Sequence, residues 1–367
     1  SMSQMRIAAE QPPHLAAIAP WDGDGDLYRE SVCIGGMDTS RFNNQVVHGV
    51  ASHQYVEDLP ETFKKYPYMN AYWRSKIVRW EDVQVPAYVS AGWCTGHLRG
   101  SLECYRRIAS PKKWVRIHRE MEWGDFYDPA NMEDLRRFFD RYLKDIRNGW
   151  EFTPRVRMEV MDALDYDFDT CRKEADFPVA RTRYSPLYLN QGGCLTAEPA
   201  ANAGETTYDP GEDSVIWEYA FQEDTEIIGY LKLRLFVECR GHNNMDLYCW
   251  ATKHKANGEF VPIRFMGEVF RGPWGSMRVS RRELDPELSS DYQPVQAHLK
   301  DEYLLPGQIV PVEIEMAPTA RIWHKGEKLR LEICGHDIKP EWQRNDCDDT
   351  YNDNGAGLHV IHWGGTY

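Results

Sequence analysis

Positive charge is scarce in this sequence relative to negative charge. The 367 residues include 43 Lys plus Arg against 57 Asp plus Glu, which gives a net charge of −14. A surface of that sign gives no electrostatic support to binding a phosphate backbone, so we expect no nucleic-acid partner. No apolar stretch approaches the ~20 residues of a membrane-spanning helix, and the first residues lack a secretory signal pattern. We therefore expect a soluble, cytoplasmic protein without a membrane partner.

Cysteine is also too sparse to organise the fold. The nine cysteines are an odd number, lie far apart and include no CxxC pair, which argues against a disulfide framework or a zinc site. Asp22-Gly23-Asp24-Gly25-Asp26 is similar to a calcium loop, but its glycine and distal glutamate are wrongly spaced, so we interpret it as a turn. Asp346, Asp348, Asp349 and Asp353 are interpreted as a solvated acidic loop. The sequence predicts no metal and no cofactor.

Strand and helix patterns alternate over the first 150 residues. Apolar runs at 15–19, 85–91 and 113–118 predict buried strands, and a helix is predicted at 101–108. A second helix is indicated by an apolar stripe at helical spacing that comprises Leu135, Phe138, Phe139, Tyr142 and Leu143. Strand, helix, strand, helix is the pattern of a parallel α/β sheet.

The sequence changes character after Trp150. Val156, Met158 and Val160 alternate with charged residues, and further strand-like runs follow between Gly, Pro and Asn turns, with almost no helix pattern. This favours a β-sandwich of the jelly-roll kind. The fold class is therefore α/β plus all-β. We expect an α/β unit at 1–25 and 83–150, a helical cap insertion at 26–82, and a jelly-roll β-sandwich at 151–367.

Several motifs resemble the X-Pro dipeptidyl-peptidase and cocaine esterase family of α/β-hydrolases. In the first part they are Ala19-Pro20-Trp21-Asp22-Gly23, Asp26-Leu27-Tyr28-Arg29-Glu30, Ala91-Gly92-Trp93 and Arg136-Arg137-Phe138-Phe139-Asp140-Arg141-Tyr142-Leu143-Lys144. In the second part they are Met245-Asp246-Leu247, Leu305-Pro306-Gly307 and Gly326-Glu327-Lys328-Leu329-Arg330-Leu331. The resemblance covers nearly the whole chain. It implies a partial α/β-hydrolase sheet with a helical cap insertion, followed by a jelly roll.

The resemblance implies acyl transfer, in which a serine attacks a carbonyl, a histidine acts as base and a carboxylate orients the histidine. The chain has no Gly-x-Ser-x-Gly motif, and the family's serine would fall just before Ser1, so we expect the nucleophile outside the chain. The family's aspartate lies in a Gly-Trp-x-Asp motif, where this chain has Thr95. The family's histidine follows a Pro-Trp pair, and here only His118 lies near that place, several residues early.

His118 and His97 are the candidate catalytic bases, because each follows a predicted strand, where open α/β sheets gather functional groups. Asp125, Glu120 and Glu122 are the candidates that could orient the base. A structural histidine is the commoner alternative for both, and a solvated loop acid is the commoner alternative for Asp125. Cys94 is a weaker candidate nucleophile, because buried structural cysteines are more common than reactive ones.

Trp21, Tyr28 and Trp93 are the candidate substrate-binding residues. If the resemblance holds, they would line the mouth of the pocket and offer flat apolar surface to an acyl or aromatic group. Ordinary core packing is the alternative.

Three hypotheses for the function follow. The first is a serine-hydrolase-family protein that acts on an ester or amide of a small hydrophobic substrate, with its nucleophile outside the chain. The second is a non-hydrolytic relative that binds, cyclises or isomerises a hydrophobic small molecule, and the third is a structural binding subunit. We also expect a homo-oligomer or pairing with a missing N-terminal segment, because a partial α/β sheet leaves apolar edges to cover.

Overall fold

The computed structural model describes residues 2–40, 49, 57–265, 267–336 and 356–367. The acidic cluster at 346–353 lies outside these residues. The first part of the chain also contains a π-helical turn at Tyr28–Val32 and 3₁₀ turns at Trp80–Asp82 and Trp150–Phe152. Its helices and strands are α1 (Met2–Ala9), β1 (Cys33–Ile34), β2 (Met37–Asp38), α2 (Leu59–Lys65), α3 (Ala71–Arg74), β3 (Ala87–Gly92), α4 (Leu98–Arg107), β4 (Lys113–His118), α5 (Glu122–Phe126) and α6 (Pro129–Leu143).

A parallel sheet forms the centre of the first part, as the sequence pattern predicts. Strands β3 and β4 are parallel along their whole length, from Ala87 opposite Lys113 to Gly92 opposite His118. The predicted strand at 15–19 is reduced to isolated parallel bridges of Ile18 and Trp21 with β3. Because parallel strands end at the same edge, the residues that follow Trp21, Gly92 and His118 meet there.

Helix α6 covers one face of this sheet. The Asp128 side chain accepts hydrogen bonds from the backbone N–H groups of Ala130 and Asn131, and Pro129 occupies the first turn, so the helix begins with a side-chain cap. Phe138 is fully buried, and most of the predicted stripe packs with it on a cluster of large aromatic residues that includes Tyr88, Trp114 and Trp150. Leu143, the last residue of the predicted stripe, is exposed instead, because the helix ends there. The 3.6-residue periodicity of the stripe therefore decides which face of the helix is buried.

The segment 26–82, where the sequence predicts a helical cap insertion, contains the short helices α2 and α3, and residues 41–48 and 50–56 of it lie outside the described part. Its own small core comprises Leu27, Tyr28, Val32, Cys33, Leu59, Phe63, Met69 and Trp73. The Asp58 and Asn70 side chains cap the two helices by accepting backbone hydrogen bonds.

The second part of the chain is almost entirely β-structure. Its strands are β5 (Val156–Ala163), β6 (Tyr166–Glu174), β7 (Tyr188–Asn190), β8 (Cys194–Thr196), β9 (Gly204–Tyr208), β10 (Ser214–Ala220), β11 (Thr225–Arg240), β12 (Asp246–His254), β13 (Ile263–Phe265), β14 (Glu268–Phe270), β15 (Trp274–Arg278), β16 (Val310–Trp323), β17 (Lys328–Cys334) and β18 (Leu358–Trp363).

Two mixed sheets share the core of the second part. One has the order β15-β12-β17-β10-β8-β7, and the other runs β3-β4-β5-β16-β11-β18-β9 with β6 paired to β5. Side chains from both sheets, such as Leu235, Ile314 and Ile333, are buried in one cluster. The second sheet also contains β3 and β4, so β5 joins the α/β part to the β-rich part in one continuous sheet.

None of the described helices combines the length and the apolar character that a membrane span requires.

Candidate functional site

One buried glutamate, Glu30, binds the backbone of the loop that follows Trp21. The Glu30 carboxylate accepts hydrogen bonds from Gly25 N at 2.7 Å and from Asp26 N at 2.9 Å. Gly23 N donates to Ser101 Oγ on α4 at 3.2 Å. These bonds fix the loop against the first turn of α4, and the loop contains Asp22 and Asp24.

His97 lies at the start of α4, at the carboxyl edge of the sheet. Its Nδ1 is 3.0 Å from Asp24 Oδ1, and the side chains are 27% and 1% exposed, so solvent reaches the imidazole but hardly the carboxylate. Burial lowers the pKa of His97, but the hydrogen bond to Asp24 and the charges of Asp24, Asp22 and Glu122 outweigh it and raise the pKa to about 9. The pair therefore has the geometry of a histidine positioned by a carboxylate.

Asp22 lies next to this pair and is bound by the strand that ends beside it. Its Oδ1 accepts hydrogen bonds from Gly92 N at 3.2 Å and from Thr95 Oγ1 at 2.9 Å. Burial and the charge of Glu122 raise the pKa of Asp22 to about 7, against the opposing effects of His97 and Thr95. Thr95, which the resemblance places at the position of the family's aspartate, thus donates a hydrogen bond to an aspartate of the neighbouring loop.

His118 and Asp125 lie close together at the end of β4, as the sequence suggests. His118 Nε2 is 3.6 Å from Asp125 Oδ2, beyond hydrogen-bond distance, and the Asp125 carboxylate forms a two-pronged ion pair with Arg116. The His118 side chain is only 1% exposed, and its Nδ1 donates to the carbonyl of Glu120 at 3.0 Å. Burial lowers the pKa of His118 to about 4 despite the charge of Asp125. The catalytic roles of both residues remain predictions.

The three candidate binding residues lie in different surroundings. Trp21 is partly exposed and stacks on Phe126 with ring centroids 4.1 Å apart, beside the carboxyl edge. Tyr28 is fully buried in the core of the cap, where its hydroxyl donates to the carbonyl of Pro67. Trp93 is buried and donates to the carbonyl of Glu159. Of the three, only Trp21 offers side-chain surface at the site, and the binding roles remain predictions.

Cys94 is enclosed in the same region. Burial raises the pKa of its thiol well above the ordinary range, against the smaller opposing effects of Arg321 and Arg119. A thiol with a raised pKa is a poor nucleophile, so the geometry gives no support to a cysteine mechanism.

Two groups of metal-binding residue types occur in the described part of the chain, away from this edge: Asp162, His324 and Glu327, and Glu205, Glu238 and His362. Each already surrounds a cationic side chain. Lys253 Nζ lies 2.5 Å from Asp162 and 2.8 Å from Glu327, and Arg240 bridges Glu205 and Glu238. A metal ion would have to displace these cations.

The β-rich part carries the sequence signature of a known family. Residues 148–367, more than half of the chain, match the family described as the X-Pro dipeptidyl-peptidase C-terminal non-catalytic domain. The chain belongs to the X-Pro dipeptidyl-peptidase and cocaine esterase family. The resemblance inferred from the motifs is therefore confirmed, and with it an esterase- or peptidase-like hydrolase ancestry.

Known relatives support the same assignment. A CocE/NonD family hydrolase from Staphylococcus aureus is 31% identical with a TM-score of 0.91, and the match covers 100% of this chain and 68% of that one. Cocaine esterase from Rhodococcus sp. is 21% identical over 312 residues, which are 74% of this chain and 52% of the esterase, so the chain spans about half the length of that curated relative. An α-amino acid ester hydrolase shares the fold, with 11% identity and a TM-score of 0.69. The match covers 99% of this chain and 73% of the hydrolase chain.

The sequence pattern does not single out Asp24, the carboxylate that contacts His97. Asp24 lies in the acidic turn at 22–26, and no motif marks it. One signal was available, because the turn directly follows a predicted strand, and functional side chains gather at the carboxyl ends of such strands.

Proposed function

We propose that this chain supplies the base and its orienting carboxylate to a serine-type hydrolase site, with His97 as general base and Asp24 as its partner. The serine would come from outside these 367 residues, because they contain no Gly-x-Ser-x-Gly motif. The reaction would be hydrolysis of an ester or amide of a small hydrophobic substrate. The observation that carries this proposal is the 3.0 Å contact between His97 Nδ1 and Asp24 Oδ1 at the carboxyl edge of the parallel sheet.

In this arrangement Asp24 holds the imidazole by Nδ1, so that Nε2 is the nitrogen that takes the proton from the serine hydroxyl. Asp24 also stabilises the imidazolium that forms when the proton is transferred. Asp22 and Glu122 add negative charge around the same ring, which further favours the imidazolium. Trp21, stacked on Phe126, would supply an apolar wall for the acyl group of the substrate.

The surroundings of His118 favour it less as the base. Its Nδ1 donates to a backbone carbonyl, its side chain is 1% exposed, and Asp125 is engaged by Arg116. A base has to reach its proton donor within about 3 Å. His97 is the more accessible of the two.

We further propose that the nucleophile-bearing segment packs beside the strand-like residues 15–21, and that the β-rich part has jelly-roll connectivity. Within the described residues, β3 is the only strand that pairs with Ile18 and Trp21. On the other side of this segment the Gln4 side chain bonds both the N–H and the C=O of Ala19, so a further strand would pair there in place of Gln4. The interleaving of distant strands, such as β10 beside β17 and β11 beside β16, supports the jelly roll.

The test uses the gene product that contains these residues, with a fluorophosphonate probe for the active serine and p-nitrophenyl butyrate as the ester. His97→Gln should lower the hydrolysis rate by about 10²–10⁴-fold, whereas His118→Gln should retain most of it. Asp24→Asn should behave like His97→Gln, because the amide cannot stabilise the imidazolium. Circular dichroism of each variant checks that it is folded. A wild-type rate in folded His97→Gln would contradict the role of His97.

The non-hydrolytic alternative is favoured by one observation: the family's aspartate position is Thr95, and its hydroxyl binds Asp22. On that alternative, a hydrophobic small molecule binds at the carboxyl edge beside Trp21 and is held without acyl transfer. The same probe separates the two functions. No labelled serine, together with quenching of tryptophan fluorescence by an apolar ligand that Trp21→Ala abolishes, would favour the binding function.

A further inference from the structure

One arginine of α4 joins the loop that carries Asp24 to the β-rich part of the chain. Arg99 Nη1 donates to Glu30 Oε1 at 3.2 Å, and Arg99 Nε donates to the two carboxylate oxygens of Glu315 at 3.1 and 3.0 Å. Glu315 belongs to β16, within the residues that match the C-terminal non-catalytic domain. A single side chain thus connects the proposed site with a domain whose family description is non-catalytic.

The two carboxylates hold Arg99 where solvent has little access. The Glu30 side chain is buried, and those of Arg99 and Glu315 are largely shielded from solvent. Gln293, itself buried, donates through Nε2 to Glu315 Oε1 at 3.0 Å and so fixes the far end of the link. Charges with little exposure are weakly screened, so the guanidinium and the two carboxylates attract each other strongly in this geometry.

Glu30 binds the loop best as an anion, and Arg99 favours that form. Glu30 Oε2 accepts the hydrogen bonds from the N–H groups of Gly25 and Asp26, the two residues that follow Asp24. Burial raises the pKa of Glu30, the charge of Arg99 lowers it, and the charges of Asp24 and Asp26 raise it. Without Arg99, burial and the two aspartates would favour the neutral acid, which accepts hydrogen bonds less strongly than a carboxylate.

A second guanidinium binds the same loop in a different way. Arg6 donates to the carbonyl of Asp24 at 3.2 Å and to the carbonyl of Lys76 at 2.7 Å. These acceptors are backbone groups, so the bonds do not depend on the charge of Glu30. Removal of Arg99 should therefore shift the loop without unfolding it.

We propose that Arg99 is a positioning residue of the hydrolase site: by joining Glu30 to Glu315, it fixes the loop that carries Asp24 and with it the contact between Asp24 and His97. The inference rests on the proposed function of His97 and Asp24. Arg99 acts through Glu30, and the β-rich part contributes Glu315. The C-terminal domain thereby takes part in arranging the base without binding the substrate.

Titration of the His97 imidazole by NMR, on the native gene product, tests this link, and the spectrum of His97→Gln identifies the signal. Arg99→Met should lower the pKa of His97 by roughly one unit or more, because the imidazolium loses the carboxylate that stabilises it. Loss of a positive charge alone would raise the pKa of a histidine. The sign of the shift therefore separates displacement of Asp24 from a direct effect of charge.

Two further variants sharpen the test. Arg99→Lys keeps the charge but loses the planar fork that bonds both carboxylates, so it should lower the pKa of His97 by less than Arg99→Met does. Arg107→Met is the matched control and should leave this pKa unchanged, because it removes an arginine of the same helix that lies 3.8 Å from Glu103.

Hydrolysis of p-nitrophenyl butyrate gives an independent readout. Arg99→Met should lower kcat by about tenfold to a hundredfold, because the base is misplaced. It should leave KM nearly unchanged, because Arg99 does not bind the substrate.

An unchanged or raised pKa of His97 in folded Arg99→Met would overturn the inference. If Arg99→Met does not fold, Arg99→Lys decides, and an unchanged pKa in that variant overturns the inference equally. The proposed function fails by a different result, a wild-type rate of hydrolysis in His97→Gln. In that case the titration still reports whether Arg99 holds Asp24 against His97.

Discussion

Asp24 and His97 are 73 residues apart in sequence and 3.0 Å apart in space, and their contact brings the loop after one parallel strand to the start of the helix after the next. The carboxylate is buried and the imidazole is partly open to solvent. A buried anion raises the proton affinity of the histidine beside it, which is the electrostatic basis of the proposed base.

The pH profile of hydrolysis should reflect the pKa of His97. A base accepts a proton only in its neutral form, so the rate should rise with pH toward the pKa of about 9, beyond the ordinary value of 6.5. Glu122→Gln removes one of the charges that raise this pKa and should move the profile to lower pH by roughly one unit or less. Glu120→Gln is the control, since Glu120 is not among those charges. An unshifted profile in Glu122→Gln would argue against His97 as the titrating base.

Gly100→Ala should impair hydrolysis by displacing the loop that carries Asp24. A methyl group at Gly100 would meet the carbonyl oxygen of Gly23, and would lie 2.6 Å from Glu30 Oε2 and 2.8 Å from the Cα of Asp24. Alanine normally stabilises a helix relative to glycine by about 1 kcal/mol, so a loss of rate here cannot come from helix propensity. Gly96→Ala is the matched control, because a methyl group there meets nothing within 4 Å. Equal hydrolysis rates in Gly100→Ala and Gly96→Ala would show that the loop that carries Asp24 accommodates the methyl group without loss of activity.

Acid should destabilise the protein through His118. Its pKa is lowered to about 4 in the folded state, against about 6.5 in the unfolded chain, so the unfolded state binds the proton more readily. The contribution of neutral His118 to the free energy of unfolding is fully present above pH 6.5. It is lost as the pH falls toward 4 and amounts to on the order of 3 kcal/mol. His118→Gln should flatten this part of the pH dependence of the urea midpoint.

His324→Gln is the control for that measurement. The hydrogen bond to Asp162 raises the pKa of His324, so its contribution is present at low pH and is lost as the pH rises. His324→Gln should therefore lose as much stability as the wild-type protein between pH 6.5 and pH 4. If His118→Gln and wild type lose stability in parallel between pH 6.5 and 4, another group is responsible.

Lys253→Met should lower stability by about 3–5 kcal/mol. The ammonium group is fully buried between Asp162 and Glu327, and its removal leaves two carboxylates without their shared cation. Lys255→Met, two residues along, removes an exposed ion pair with Glu259 and should change stability by less than about 1 kcal/mol. Thermal melts of the two variants make the comparison. Equal melting temperatures of the two variants would mean that other groups neutralise Asp162 and Glu327 when Lys253 is removed.

Local sequence determined the elements whose pattern is complete within a few residues. The apolar run at 113–118 forms β4 with the same limits, and the stripe around Phe138 forms α6, because strand and helix periodicities are set by backbone geometry. The change to alternating residues at Val156 marks the start of β5. The motifs sufficed to identify the family for the same reason, since each is a short contiguous run.

Only the tertiary structure decided which side chains meet. It pairs His97 with Asp24 and gives the carboxylate of Asp125 to Arg116. It also buries Tyr28 in the cap, and it extends the parallel strands into the β-rich part through the single bridge between Met161 and Arg321. These contacts join residues far apart in sequence, and their energies depend on burial and on neighbouring charges that no local pattern contains.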